Sequence, residues 1–428
     1  MLARILNNNS REIKEILRIW LLSKIGRKQI PYLTKTYGKS HEACEFCIKT
    51  FKRGRVLASH NLMKDSYAVK RHVALSYFEK ILCHDDVFLL VDSNFLFYHD
   101  NFQDLILKKN KDSVFILKSN EKIKTLTTIK TLLSRIPYPR TKMIFGIGGG
   151  LISDITGFLA GLLDIHYMLM PTTFLSMIDA SLGGKTAVNF PPFGKNLVGL
   201  FYHPLSVYYL PILSRSEERA HIISGFGEYL KHVWLSGSVF HLKLIEKLLK
   251  ERLTHISLPT LEEILKFNLE TKNTVVKRDP GESDFRRILN FGHTLGHLIE
   301  ELAYEKHIHY ENIPHGICII YGMKFLFDSH IMTLNTLHEK LFYKLLTEVL
   351  RLWNPKIRLK FKGDYEDFYN LCKLKLLNDK KSFFFKSQSI TLVTPTFSIL
   401  KKNKNSKSYI TRMNLRYFLS LVLKKIFF

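Results

Sequence analysis

The sequence predicts an α/β domain followed by a helical one, and three observations carry that expectation. An apolar run, Met143-Ile144-Phe145, enters Gly146, Gly148, Gly149 and Gly150, and residues 151–160 then read as the start of a helix. Strand-like runs recur at Met168-Leu169-Met170 and Val207-Tyr208-Tyr209, and beyond Leu213 the apolar spacing turns helical, so a domain boundary is expected near Leu213. At 428 residues the chain is long enough for two domains with cores of their own.

Taken in chain order, residues 10–25 are expected to form one amphipathic helix, with Ile13, Ile16, Leu17, Trp20 and Leu21 on its apolar side. They lie in a basic region, since residues 1–65 hold 14 Lys/Arg against 5 Asp/Glu. Residues 401–428 hold 8 Lys/Arg and no acid, and the whole chain carries +26. Such a charge raises nucleic acid or an anionic membrane surface as a partner. The basic residues are spread throughout, however, and Ile, Asn, Lys and Phe are all abundant, so the charge reads as lysine-rich drift and no nucleic-acid partner is expected. Glu12 and Glu15 speak against a transit peptide, and no secretory signal is read. No apolar run reaches the roughly 18 to 20 residues of a membrane span. Cys44, Cys47, Cys83, Cys318 and Cys372 show no disulfide framework, which suits a reducing, cytoplasmic compartment. Residues 417–428 are apolar with two lysines and are expected to pack as a helix.

The strand, glycines and helix around Gly146–Gly150 form the geometry in which backbone N–H groups at the positive end of a helix meet a pyrophosphate. The spacing is not the strict GxGxxG fingerprint, and a tight turn without a ligand explains the segment equally well. Pro171-Thr172-Thr173 then leads to Asp179-Ala180-Ser181-Leu182-Gly183-Gly184-Lys185-Thr186, where small residues let backbone approach a ligand closely. Gly194-Lys195-Asn196 follows. Lysines beside glycines anchor phosphate or carboxylate, although this spacing is not a Walker loop.

Residues 286–297 run Arg-Arg-Ile-Leu-Asn-Phe-Gly-His-Thr-Leu-Gly-His. As one helix they put His293 and His297 a turn apart on one face, with Arg286 and Asn290 on nearly the same side. A cation, an amide and two imidazoles converging there suit a metal beside an anionic substrate. Catalytic zinc usually takes three protein ligands, so others must come from elsewhere. Glu228, with Lys231 three residues on, and His315 in Pro314-His315-Gly316 offer themselves. Among 18 histidines some pairs at this spacing arise by chance, and this one lacks the glutamate of a metalloprotease helix.

In this order, GGGxxxDxxGF, PTT, DASxGGKT, GKN, GxxExxK, RxxxNxGHTxGH and HG resemble the 3-dehydroquinate synthase family and, more broadly, the sugar phosphate cyclases, over roughly residues 66–400. Residues 1–65 lie outside the resemblance and are expected as a basic extension, while the resemblance implies a Rossmann-like NAD-binding domain over 66–213 and an all-α metal- and substrate-binding domain over 214–428, with the site in the cleft between them. It implies conversion of 3-deoxy-D-arabino-heptulosonate 7-phosphate to 3-dehydroquinate and phosphate, in the shikimate pathway of aromatic amino acid biosynthesis. NAD, one divalent metal (zinc or cobalt) and a cytoplasmic homodimer come with it.

By the same resemblance the metal ligands are Glu228, His293 and His315. His297, which helical spacing alone offers as a ligand, then faces the substrate and moves protons, and Glu282 accepts a proton. Lys185, Lys231, Arg286 and Asn290 are implied in catalysis. Asp179, Asn196 and Lys272 join those four as substrate contacts, with Lys380 and Lys381 of a late Asp-Lys-Lys motif. Asp92, Asn94, Glu121 and Lys124 match the adenosine side of the cofactor. Gly149, Gly150, Asp154, Thr172, Thr173 and Lys195 match its pyrophosphate and nicotinamide side. Another sugar phosphate cyclase, or a metal- and NAD-dependent polyol dehydrogenase, is the alternative; Lys272, Glu282, Arg286 and the Asp-Lys-Lys motif favour the synthase. A non-catalytic basic binding protein descended from the enzyme is a third reading.

The chain departs from the family pattern in three places. The Arg-Gly before PTT is missing, and no Lys or Arg occurs from Met143 to Gly184, which leaves His166 as a partial substitute. Residues 189–193 carry one residue more than usual before Gly194. Residues 210–224 lack the family's Leu-Pro-x-Arg-Glu, so no cofactor contacts are expected there.

Overall fold

The computed structural model describes residues 57–58, 79–82, 84–191, 194–253, 256–309, 313–354, 359–378, 389–401 and 409–427. The expected helix over 10–25, Cys44, Cys47, Cys83, Lys380 and Lys381 lie outside the described residues.

The first part of the chain builds a sheet from strands too apolar to face water. Its elements are β1 (Leu57–Ala58), β2 (Val87–Asp92), α1 (Ser93–Tyr98), α2 (Asp100–Leu107), β3 (Val114–Leu117), α3 (Leu126–Arg135), β4 (Met143–Gly148), α4 (Gly150–Leu163) and β5 (His166–Pro171). A hairpin of β6 (Lys185–Phe190) and β7 (Gly194–Phe201) and then β8 (Ser206–Tyr209) complete it. The six-stranded sheet has the order β1-β8-β5-β4-β2-β3, and all its pairs are parallel except β1 with β8. Every residue of β2 is buried, as a strand covered on both faces requires. The chain leaves β2 for β3 on one side and returns to β4 on the other. The strand order therefore reverses between β2 and β4, which opens a crevice beyond their carboxyl ends, the place where open α/β sheets bind ligands.

The second part is mainly helical: α5 (Arg219–Ser236), α6 (Val239–Lys250), α7 (Leu258–Arg278), α8 (His293–Tyr304), α9 (His315–Asp328), α10 (Leu337–Trp353) and α11 (Tyr365–Asn378). To the expected helices it adds an antiparallel ribbon of β9 (Ser389–Val393) and β10 (Ile410–Asn414), followed by α12 (Leu415–Val422). Trp234 of α5 fixes this addition, donating its indole N–H to Pro395 O at 2.7 Å and packing its ring on Phe291, Phe327, Phe342 and Phe397. The apolar C-terminal segment packs as expected, burying Phe418, Leu419, Val422 and Phe427.

One expected element is two. Residues Phe285–Asn290 form a 3₁₀ turn, and α8 begins only at His293. Gly292, at φ +77°, turns the chain between them, so Arg286 and Asn290 reach the site from a separate turn and not from one continuous helix.

Candidate active site

Helices α5, α8 and α9 carry the candidate ligands and meet through glycine. A Cβ on Gly227 would sit 2.1 Å from Gly316 O, and one on Gly316 would sit 1.7 Å from Ser224 O. Side chains at those points would hold α5 and α9 apart. Their absence brings Glu228 and His315, each the chain neighbour of one of these glycines, within reach of each other.

Glu228 is wholly buried. Its Oε2 is in ion contact with Lys231, while Oε1 has no hydrogen-bond partner and lies 3.5 Å from both His293 Nε2 and His315 Nε2. Each imidazole has its other nitrogen committed: His293 Nδ1 lies 3.2 Å from Phe291 O, and His315 Nδ1 lies 3.0 Å from Glu300 Oε2. An oxygen acceptor at Nδ1 leaves the lone pair on Nε2 in the neutral ring. With both rings neutral, a carboxylate oxygen and two ring lone pairs converge, which is the donor set of a divalent-ion site. With no ion bound, burial works against a charged His315, but Glu300 and Glu228 push its pKa up to about 9. Burial likewise works against the Glu228 charge, and Lys231 overcomes it, holding the carboxyl at about 2.

His297 comes close as well. Its ring centroid lies 5.3 Å from that of His293 and 5.8 Å from that of His315, and one nitrogen from each of the three rings falls within 4.8 Å of the others. The spacing argument for His297 is therefore geometrically sound, but the buried, unpartnered oxygen of Glu228 makes a stronger demand for a cation than a half-buried imidazole does.

Beside the ion site lies a network of buried charge. Asp179, on a π-helical turn at Ser176–Ala180, pairs with Lys272 at 2.9 Å and faces Lys231 at 3.8 Å and His232 at 3.6 Å. Burial opposes its charge, yet Lys272 and Lys231 hold its pKa well below the usual range. Arg286, buried beneath Gly183, donates to Gly183 O at 2.7 Å and to Pro280 O at 2.8 Å. Glu282, at φ +55°, is in ion contact with Lys185 and accepts from Asn290 Nδ2 at 2.9 Å. Lys185, Lys231, Lys272, Arg286 and Asn290, expected around one anionic substrate, do converge.

The crevice at the β2 and β4 ends gathers most of the residues expected around a dinucleotide. Asp92 ends β2 and caps α1 through Asn94 N, and it borders Gly148. Gly149 caps α4 with no side-chain hydrogen bond, which keeps the first N–H groups of that helix available to an anion. Thr173 Oγ1 bonds to Ser176 Oγ at 2.8 Å, which fixes the turn after Pro171. Lys124 bridges Asp154 at 2.5 Å and Asn196 Oδ1 at 2.6 Å. Lys195 reaches Glu300 at 3.1 Å and lies 3.9 Å from Glu121.

Four residues with no assigned part turn out to hold this arrangement. Asn189 sits at a register shift between Val188 and Phe190, the structural form of the extra residue noted before Gly194. It donates to Glu121 Oε1 and accepts from Asn196 N, both at 2.9 Å. Glu217 accepts from Phe174 N and so supports the Thr172-Thr173 turn from the helical side. Asp279 accepts from Ser283 N, Asp284 N and Arg286 N and shapes the loop that carries Glu282. Glu300 joins His315 to Lys195. His166 does not replace the missing arginine: it is exposed at the start of β5, the end of the strand opposite the crevice.

A family model described as 3-dehydroquinate synthase N-terminal matches residues 114–222, and one described as 3-dehydroquinate synthase C-terminal matches residues 225–382. The 3-dehydroquinate synthase of Clostridium acetobutylicum is 34% identical over 251 residues, 57% of this chain and 68% of its own. That of Prochlorococcus marinus AS9601 is 34% identical over 268 residues, 61% of this chain and 70% of its own. In fold, the chain resembles a 2-deoxy-scyllo-inosose synthase solved with carbaglucose-6-phosphate, NAD+ and Co2+, at a TM-score of 0.64 and 24% identity over 82% of this chain and 94% of that one. The matched residues take in β4, the amino end of α4 and the three helices that carry the candidate ligands, and the chain belongs to the 3-dehydroquinate synthase family.

Proposed function

We propose that this chain is a 3-dehydroquinate synthase that converts 3-deoxy-D-arabino-heptulosonate 7-phosphate to 3-dehydroquinate and phosphate, using NAD and one divalent ion, zinc or cobalt. The observation that carries the ion is the wholly buried Glu228 with an oxygen lacking any hydrogen bond, 3.5 Å from two imidazole nitrogens. Lys231 takes the other oxygen, and the Oε1 that faces the two imidazoles is the one placed to meet an ion. The uncapped amino end of α4 at the strand-order reversal suits a dinucleotide pyrophosphate in the same way.

When bound, NAD supplies a hydride acceptor and donor, and the ion polarises hydroxyls beside the carbon that is oxidised. Glu228, His293 and His315 would hold the ion. Gly149, Gly150, Asp92, Asn94, Thr172 and Thr173 would line the dinucleotide crevice, with Glu121, Lys124, Asp154 and Lys195 along its hairpin side. Lys185, Lys231, Lys272, Arg286 and Asn290 would clamp the carboxylate and phosphate of the substrate, and Lys380 and Lys381 would be further substrate contacts. Such clamping can supply several kcal/mol of the barrier through orientation alone, about 7–11 kcal/mol at its upper range. Asp179, kept ionised by two lysines, would orient Lys231 and Lys272. Asn196 would contact the substrate from the hairpin. Glu282, held between Lys185 and Asn290, would accept a proton, and His297, beside both ligand histidines, would carry protons on the substrate side. A cytoplasmic homodimer completes the proposal, and no described helix is long and apolar enough to cross a membrane.

Phosphate release from the heptulosonate phosphate, followed together with NADH absorbance, tests the reading. A synthase releases phosphate without net NADH and loses activity to a chelator. Stoichiometric NADH would indicate a polyol dehydrogenase. Turnover of a different sugar phosphate alone would indicate another cyclase. No phosphate release, with salt-sensitive RNA binding, would indicate a binding protein.

A further inference from the structure

We propose that Glu300 is a positioning residue that couples the ion site to Lys195 across the cleft; this rests on Glu228, His293 and His315 being the ligands of a divalent ion. Glu300 lies on α8, seven residues after His293 and therefore on the same face. Its two oxygens are divided between two tasks. Oε2 accepts from His315 Nδ1 at 3.0 Å, and Oε1 accepts from Lys195 Nζ at 3.1 Å.

An imidazole that donates Nδ1–H to a carboxylate is fixed in orientation and tautomer, and its Nε2 becomes a stronger donor to a metal. His293 has a neutral carbonyl, Phe291 O, in that position, so the anionic support falls on His315. Lys195 belongs to β7, on the crevice side, and its ammonium also faces Glu121 and the Tyr304 ring at 5.0 Å. While Lys195 holds Oε1, it draws charge away from the His315 contact. An anionic ligand that takes Lys195 for itself returns that charge to His315. Anion binding on the hairpin side and ion binding by the three ligands then strengthen each other, as linkage requires of any coupled pair of sites.

The coupling gives two substitutions opposite signs, which a purely structural role for either residue would not. Glu300→Gln keeps the shape and removes the charge. It is expected to weaken zinc binding by the full chain about 10–100-fold, the range for loss of a supporting carboxylate. Lys195→Met is expected to tighten zinc binding severalfold. Both are read by competition with a colorimetric chelator, with zinc alone as the probe, and thermal melts of the metal-free proteins check folding. Glu300→Gln within twofold of wild type overturns the inference. So does Lys195→Met weakening zinc as much as Glu300→Gln does. His293→Ala separates this from the underlying reading: zinc binding lost in His293→Ala but kept in Glu300→Gln overturns the role of Glu300 alone. Zinc binding kept in His293→Ala overturns the ligand set and this inference together.

Discussion

Gly316→Ala tests how the ligands are brought together. The added Cβ would lie 1.7 Å from Ser224 O and 3.1 Å from Ser224 Oγ, where ordinary contact begins near 3.4 Å. The nearest obstacle is backbone, in the middle of α5, and cannot swing aside. Helix α9 would have to shift by more than an ångström, which would also strain the bond from Gly316 N to Ser224 Oγ at 3.0 Å. Overpacking of this kind costs about 1–3 kcal/mol of stability. Metal–ligand distances tolerate only about 0.2 Å, so a shift of that size at the residue after His315 is expected to weaken zinc binding at least about tenfold, or about 1.4 kcal/mol. Urea denaturation of the metal-free chain reads the first effect and chelator competition the second. Gly281→Ala is the matched control, because its Cβ meets nothing within 4 Å, and it is expected to leave both unchanged. A Gly316→Ala chain with wild-type urea midpoint and wild-type zinc affinity would refute the argument that glycine contacts between α5 and α9 set the site.

Other expectations can be checked on the same footing. Burial raises Glu217 from 4.5 to about 7, against the hydrogen bond from Phe174 N. A carboxyl with a raised folded pKa contributes stability that is full below about pH 4.5 and is lost as pH rises through about 7, at most about 3 kcal/mol here. Glu217→Gln should flatten that slope, and urea midpoints at pH 4.5 and 8 that fall equally in both proteins would contradict it. Asp279→Ala removes the acceptor for Ser283 N, Asp284 N and Arg286 N and should loosen the Glu282 loop, lowering kcat by more than tenfold with little change in zinc affinity. Equal losses in zinc affinity and kcat would count against a local effect. Arg286→Lys cannot span Gly183 O and Pro280 O together, and leaving one buried acceptor unmet should cost about 1–3 kcal/mol, read as a lowered melting temperature.

How much of the site the sequence carried depended on whether a residue worked locally. His293 and His297 were visible from spacing because four residues along a helix is a fixed distance in space. Glu228 and His315 were not visible that way. They meet because two backbones touch at Gly227 and Gly316, and nothing in a periodic pattern says which distant helices will cross there. The ordered motifs supply what periodicity does not: Pro-His-Gly holds the contact glycine Gly316, whereas Gly227 falls at an unspecified position of GxxExxK. The turn at Gly292 is also present in the motif: a glycine between Asn290 and His293 is a breaker signal, and it outweighs the apolar spacing that favours a single helix.

The supporting residues divide in the same way. Glu300 continues the face of His293 at seven residues and could have been marked from the helix alone. Asn189 had a trace, because the surplus residue before Gly194 appears as a register shift that turns its amide toward Glu121 and Asn196. Glu217 had none, since a carboxylate bound to the N–H of Phe174, 43 positions away, leaves no pattern in either segment. That contact occupies the stretch where the family's Leu-Pro-x-Arg-Glu is absent. Its position gives the stretch a supporting task, steadying the Thr172-Thr173 turn from the helical side with a carboxyl group. The brace acts on a backbone N–H, so any side chain that presents an acceptor at that point would hold the turn equally well.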